Sequence, residues 1–308
     1  MILLLDIVLV IFSILMLWKG ADWLVEAAAE IAHSLKISDL VIGLTVVAFG
    51  TSAPEFAVTI KAALTGQTDI SIGNVVGSNI FNLGFILGGT AMVRAITITP
   101  KLLYRDGIFL LFVTILIYVL FFGFNGWDIT DAITAAEGSF LFLALIGYII
   151  FLFIKKEPME ETHPESADLK SYLWFFAGLI SIVLGGHLMV EHASSLASTF
   201  GVSDWVIAVT IVAAGTSAPE LATSLTAAFK NKHGMAIGNL IGSDLFNLLG
   251  VLGLAGIINP TNIQSDIHSS IVVLIVMVAM VLIMMRTNWQ ISRLQGTILV
   301  SINLVRWY

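Results

Sequence analysis

A six-residue motif, Gly50-Thr51-Ser52-Ala53-Pro54-Glu55, interrupts an apolar stretch and returns unchanged as Gly215-Thr216-Ser217-Ala218-Pro219-Glu220, 165 residues later in a chain of 308. Proline has no N–H and its ring clashes with the carbonyl four residues back, so each copy must kink or open the helix that carries it. Thr51, Ser52, Thr216 and Ser217 bring hydroxyls to the break. Glu55 and Glu220 bring carboxylates to a setting where ionised groups are rare and usually functional. A Ser/Thr/Pro kink can be purely structural, and a buried carboxyl can be held neutral by a hydrogen bond. Recurrence of the whole motif at one offset weighs against that reading.

The setting is a membrane. Only 11% of residues are charged and the mean hydropathy is +0.98, against about 25% charged in a soluble domain. A span needs about 20 mostly apolar residues. Ten stretches qualify: 3–33, 38–64, 70–95, 104–124, 132–154, 171–199, 204–229, 235–258, 267–285 and 290–307. The first contains Asp6, follows no basic segment, and is read as a retained helix rather than a cleaved signal. With no cysteine, disulfides and thiolate metal sites are excluded. The scattered basic residues do not form a nucleic-acid surface, and no feature calls for an obligate protein partner.

Charge placement orients the spans. With the N-terminus outside, eleven of fourteen basic residues fall in inside loops: Lys36, Arg94, Lys101, Arg105, Lys155, Lys156, Lys170, Lys230, Lys232, Arg286 and Arg293. Outside are Lys61 and Arg306, and Lys19 lies within the first span. This bias predicts a multi-pass cell-membrane protein with both termini extracellular.

The repeat extends beyond the motif. Residues 38–64 match 203–229 at sixteen of twenty-seven positions, and 70–88 match 235–253 at ten of nineteen. Each half holds five spans, an odd number, so the second half enters the membrane upside down. Inverted repeats of this kind place a site near the midplane, where broken helices meet. The expected division is 1–155, a cytoplasmic linker 156–170, and 171–308. Of six prolines, only Pro54 and Pro219 fall inside spans.

An opened helix frees carbonyls that must find partners, and an internal cation is one. The next span of each half adds Ser78 with Asn82, and Ser243 with Asn247; each pair is four apart and shares a helix face. These donors are all oxygens, which suit hard cations such as Ca²⁺. Two carboxylates balance one Ca²⁺, and the same oxygens suit several Na⁺. Glycines 73, 77, 84 and 88, with 238, 242, 250 and 253, let the third and eighth spans approach their neighbours closely.

The paired GTSAPE and GN-x-x-GS-x-x-FN motifs resemble the calcium/cation antiporters, on the prokaryotic sodium/calcium exchanger side, over the whole chain. The resemblance implies an all-α membrane protein of ten helices in two inverted five-helix repeats, with broken helices 2, 3, 7 and 8 forming the core. It implies Ca²⁺ and Na⁺ as transported ions. It implies as ligands Glu55 and Glu220; the hydroxyls of Thr51, Ser52, Thr216, Ser217, Ser78 and Ser243; the amides of Asn82 and Asn247; and the carbonyls of Ala48 and Ala213. It also implies long first and sixth helices that slide across the core. Asn at both 82 and 247 departs from many relatives, which carry Asp at one, and argues against potassium dependence.

Asp244, whose repeat mate is Asn79, is either a polar contact at the edge of the site or an extra acid compensating for Asn247. Two readings are also open for the first helix, with Lys19, Asp22, Glu26 and Glu30, and for its mate, with His187 and Glu191: charges that pair near helix ends, or acids lining two passages. A proton/calcium exchanger of the same fold is the alternative function. Those relatives place a glutamate soon after the GN, where this chain has Val75-Val76-Gly77-Ser78, so Na⁺ coupling is expected. An enzyme is not expected, since a serine nucleophile needs a neighbouring base and His33, His187, His192 and His268 lie away from GTSAPE.

Overall fold

The computed structural model describes residues 2–122, 132–155, 167–202, 211, 213–259, 261–262 and 266–306. Among them, seven helices are long and apolar enough to cross a membrane, and one bent pair makes an eighth candidate. In chain order the helices are α1 (Ile2–Leu35), α2 (Asp39–Thr51), α3 (Ala53–Leu64), α4 (Ile70–Val93), α5 (Leu102–Phe122), α6 (Ala135–Ile154), α7 (Leu169–Thr199), α8 (Ala213–Thr216), α9 (Ala218–Phe229), α10 (His233–Ile258), α11 (Asp266–Arg286) and α12 (Arg293–Arg306). α2 and α3 form the bent pair, meeting at 50°.

Three spans depart from the sequence-based expectation. The third and eighth spans are not broken. They are the continuous helices α4 and α10, each loosened by one π-helical turn, at Asn82–Ile86 and Phe246–Val251. Neither span holds a proline, so the ladder widens by one residue instead of parting. The tenth expected span, 290–307, holds a helix of only 14 residues, Arg293–Arg306. Its start is fixed by Ser292 and Gln295, whose side chains bond each other's backbone N–H at 2.8 and 3.3 Å. The residues just before it, Asn288 and Trp289, turn at φ 56° and 55°. Most of the expected linker, and much of the first half of the seventh expected span, lie outside the described residues.

α4 and α10 form the centre: their most apolar stretches are 72% and 78% buried, against 22% to 39% for the other candidate spans. α1 instead exposes Leu4, Val8, Ile11, Phe12 and Leu15, a face suited to lipid. Two contacts related by the sequence repeat hold the centre to its flanks. A Cβ on Gly88 of α4 would meet the carbonyl of Gly296 at 2.9 Å, and one on Gly253 of α10 would meet that of Gly138 at 2.9 Å. Both pairs need glycine to let two backbones touch. Two short strand pairs follow the same logic. β1 (Ile96–Thr97), after α4, pairs with β4 (Gln290–Ile291), before α12. β3 (Thr261–Asn262), after α10, pairs with β2 (Ala132–Ile133), before α6.

Candidate functional site

The site begins at the two helix breaks. Ser52 leaves the helical region at ψ 6°, and Ser217 does so at ψ 11°. Pro54 and Pro219 then sit in the first turn of α3 and α9, where a missing N–H costs nothing. Glu55 and Glu220 fall in the same first turns, at the positive ends of their helices. Both are 1% exposed.

The breaks cross. Ser217 Oγ donates to Glu55 Oε1 at 2.8 Å, and Ser52 Oγ donates to Glu220 Oε1 at 3.2 Å. Each serine therefore serves the glutamate of the other half. Ser243 Oγ also donates to Glu220 Oε1 at 3.4 Å and lies 3.4 Å from Thr51 Oγ1. Among the described residues, the second oxygens, Glu55 Oε2 and Glu220 Oε2, are buried without a hydrogen-bond partner. Buried acceptors are normally satisfied, so these two oxygens are the open acceptors of the crossing.

A second layer lies between α4 and α10. Asn82 Nδ2 donates to Asp244 Oδ1 at 3.0 Å, and Asn247 Nδ2 donates to Asn79 Oδ1 at 3.0 Å. These two bonds are equivalents across the repeat offset. Asn82 Oδ1, Asn247 Oδ1 and Asp244 Oδ2 are buried without partners among the described residues. Ser78 is buried one turn before Asn82, and Thr216 borders Ser217. No group of three His, Cys, Asp or Glu among the described residues is placed to hold a metal alone. Hydroxyl and amide oxygens would have to complete any shell.

A sequence profile described as "Sodium/calcium exchanger protein" matches residues 5–154 and 170–305. The chain belongs to the sodium/calcium exchanger family. Exchangers are transporters rather than enzymes. CaxA of Alkalimonas amylolytica is 36% identical over 304 residues, covering 93% of this chain and 92% of its own. Sodium/calcium exchanger MaX1 of Methanosarcina acetivorans is 30% identical, over 96% of this chain and 95% of its own. A solved structure of the sodium-calcium exchanger NCX_Mj, soaked with zero Na⁺ and Ca²⁺, superposes with a TM-score of 0.86 at 29% identity, over 98% of both chains.

In this exchanger two asparagines unmarked by the sequence reading brace the crossing. Asn239 accepts from Thr51 Oγ1 at 3.0 Å and donates to Ser224 Oγ at 3.0 Å. Its repeat mate Asn74 donates to Thr59 Oγ1 at 2.9 Å and to the carbonyl of Glu55 at 3.3 Å. The signal was present: each is the Asn of a repeated GN, and Thr59 and Ser224 are themselves one offset apart. The carbonyl of Ala48 is already taken, accepting from Ser52 N at 3.0 Å and Thr51 Oγ1 at 3.3 Å. Ala213 opens α8, placing its backbone at the other break.

Several further acids lie on the long helices α1 and α7. α1 and α7 are tied near both ends: His192 Nδ1 and Ser195 Oγ bond Asp6 at 2.8 and 2.7 Å, and Ser171 Oγ bonds Glu30 at 2.5 Å. Ser195 meets the aspartate rather than the imidazole, so this trio has no base facing a nucleophile. Lys230, at the end of α9, bridges Asp22 at 2.5 Å and Glu26. Burial disfavours its ammonium, but hydrogen bonds to both acids outweigh that and raise its pKa. Glu191 lies 3.8 Å from His187 and is largely exposed.

Proposed function

We propose that this chain is a secondary antiporter exchanging Na⁺ for Ca²⁺ across the cell membrane by alternating access. The observation that carries the proposal is the crossing itself. Two buried glutamates, each steadied on one oxygen by a serine of the other half, keep their second oxygens unpaired. Two carboxylates balance one Ca²⁺, whose six to eight oxygen ligands are flexibly arranged. The proposed ligands are Glu55 and Glu220, with Thr51, Ser52, Thr216, Ser217, Ser78, Ser243, Asn82 and Asn247 supplying neutral oxygens. Carbonyl ligation by Ala48 would displace a hydrogen bond it now accepts; Ala213 is its counterpart. Na⁺ competing for the same oxygens gives exchange.

The proposed topology is ten spans in two inverted halves, 1–155 and 171–308, joined by a cytoplasmic linker at 156–170, with both termini outside. Eleven basic residues on one face against two on the other support it. So do the strand pairs, each of which joins a loop to the start of a span assigned to the same face. α1 and α7, tied to each other near both ends, form the unit that slides across the core. Glu26 and Glu191 are proposed to stand at the inner and outer mouths.

The test is radiolabelled Ca²⁺ uptake into proteoliposomes under an outward Na⁺ gradient or, separately, a pH gradient. Uptake that requires the Na⁺ gradient is expected. Uptake that ignores Na⁺ and follows pH would replace the proposal with the proton-coupled alternative.

A further inference from the structure

The two halves differ by one group at the heart of the second layer. Asn79 of α4 uses its side chain fully: Oδ1 accepts from Asn247 at 3.0 Å, and Nδ2 donates to the main-chain oxygen of Asp244 at 3.1 Å. Its repeat mate is Asp244. The carboxylate repeats the first bond, Oδ1 accepting from Asn82 at 3.0 Å. It cannot repeat the second, because an oxygen stands where Asn79 carries an amide N–H. Asp244 is 0% exposed, and among the described residues Oδ2 has no partner. The amide oxygens of Asn82, bonded to it, and of Asn247, one helical turn on, are buried and unpaired as well. Asn82 gives the acid one donor, on Oδ1, and three acceptors stay unpaired among the described residues: Asp244 Oδ2 and the two amide oxygens. A carboxyl buried in such company stays ionised only with a cation beside it.

We propose that Asp244 is a third acidic ligand of the transport site, holding a monovalent cation between α4 and α10 with the amide oxygens of Asn82 and Asn247. The inference rests on the antiport reading and deepens it. The glutamate pair answers the charge of one Ca²⁺. A third buried charge calls for one more monovalent cation than that pair alone, so Asp244 sets how many Na⁺ ions the core takes up.

Asp244→Asn is the decisive variant, because it makes the second layer match its repeat mate and leaves the fold no new group to accommodate. Thermal unfolding of the purified full chain is followed against NaCl, with N-methyl-glucamine chloride holding ionic strength constant, and separately against CaCl₂. The wild type should be stabilised by both salts. Asp244→Asn should need roughly tenfold more Na⁺ for the same stabilisation, the loss expected for one charged ligand, with a shallower Na⁺ dependence and its Ca²⁺ response retained. Moving the acid to the other half, in Asn79→Asp/Asp244→Asn, should restore the steep Na⁺ curve. Superimposable Na⁺ curves for wild type and Asp244→Asn, with Ca²⁺ responses intact, would overturn the third ligand alone. A wild type indifferent to both salts would overturn it together with the antiport reading.

Discussion

Where the broken helices cross, the two halves of the chain do the same thing: Ser217 serves Glu55 at 2.8 Å and Ser52 serves Glu220 at 3.2 Å. Away from the crossing they part. Lys230 ties α9 to Asp22 and Glu26 of α1. One offset away stand Thr65, whose hydroxyl bonds the carbonyls of Lys61 and Ala62 in its own helix, and His187 with Glu191, paired to each other along α7. Groups that must serve one ion from both sides are held alike. On the proposed alternating-access reading, groups that act on one face are free to diverge, and a bridge on one face alone would weight the balance between the two open states.

The sharpest way to break this contrast is at the glutamates. Glu55→Gln and Glu220→Gln should each weaken Ca²⁺ binding by roughly a hundredfold or more, because each leaves the opposing carboxylate to face the ion alone. Calorimetric titration of the two variants should give matching losses; a large loss in only one would break the equivalence of the halves. Next in size is Asn239→Leu. It takes the amide donor from the buried hydroxyl of Ser224 and the shortest partner from that of Thr51, and should cost about 1–3 kcal/mol of stability, read as a lowered melting temperature. Ser52→Ala and Ser217→Ala should each reduce Ca²⁺ affinity about tenfold, the value of one hydrogen bond to a charged group. Affinities differing widely between the two serines would mean that the crossing works from one side.

Lys230→Met should have the smallest effect on stability, no more than about 1 kcal/mol for a partly exposed ion pair. It should nevertheless shift the ratio of inward to outward Ca²⁺ transport, and an unchanged ratio would remove the bridge from the account. Its pH dependence has a definite sign. Because the native pKa is raised above 10.5, the bridge contributes fully below that pH and fades only as pH climbs through the raised value. Transport asymmetry should therefore be flat across neutral pH as far as this lysine is concerned.

Much of this was legible in the sequence because the repeat states it twice. The motif carries its own break in Pro54 and Pro219 and its acids in Glu55 and Glu220. What local pattern cannot carry is partnership. Nothing near Ser217 indicates that its hydroxyl goes to Glu55, 162 residues away, or that Lys230 reaches Glu26, 204 residues back. The breaks that the family resemblance implies for the third and eighth spans are instead π-helical turns at Asn82–Ile86 and Phe246–Val251. Glycine, asparagine and aromatic residues fit both outcomes, and close packing chose between them: Asn303 of α12 donates to the carbonyl of Ile80 at 3.0 Å just ahead of the first turn. The final helix starts three residues later than the expected span because Gln290–Ile291 form a strand and Ser292 with Gln295 caps the helix at Arg293.

The most direct test of the central claim is a crystal structure of the chain grown with Sr²⁺, whose anomalous signal locates a Ca²⁺-like ion without ambiguity. The account predicts one strong site between Glu55 and Glu220, touching Glu55 Oε2 and Glu220 Oε2, and its loss when crystals are soaked in high Na⁺. A Sr²⁺ ion bound elsewhere, or one at the crossing that Na⁺ leaves untouched, would contradict it.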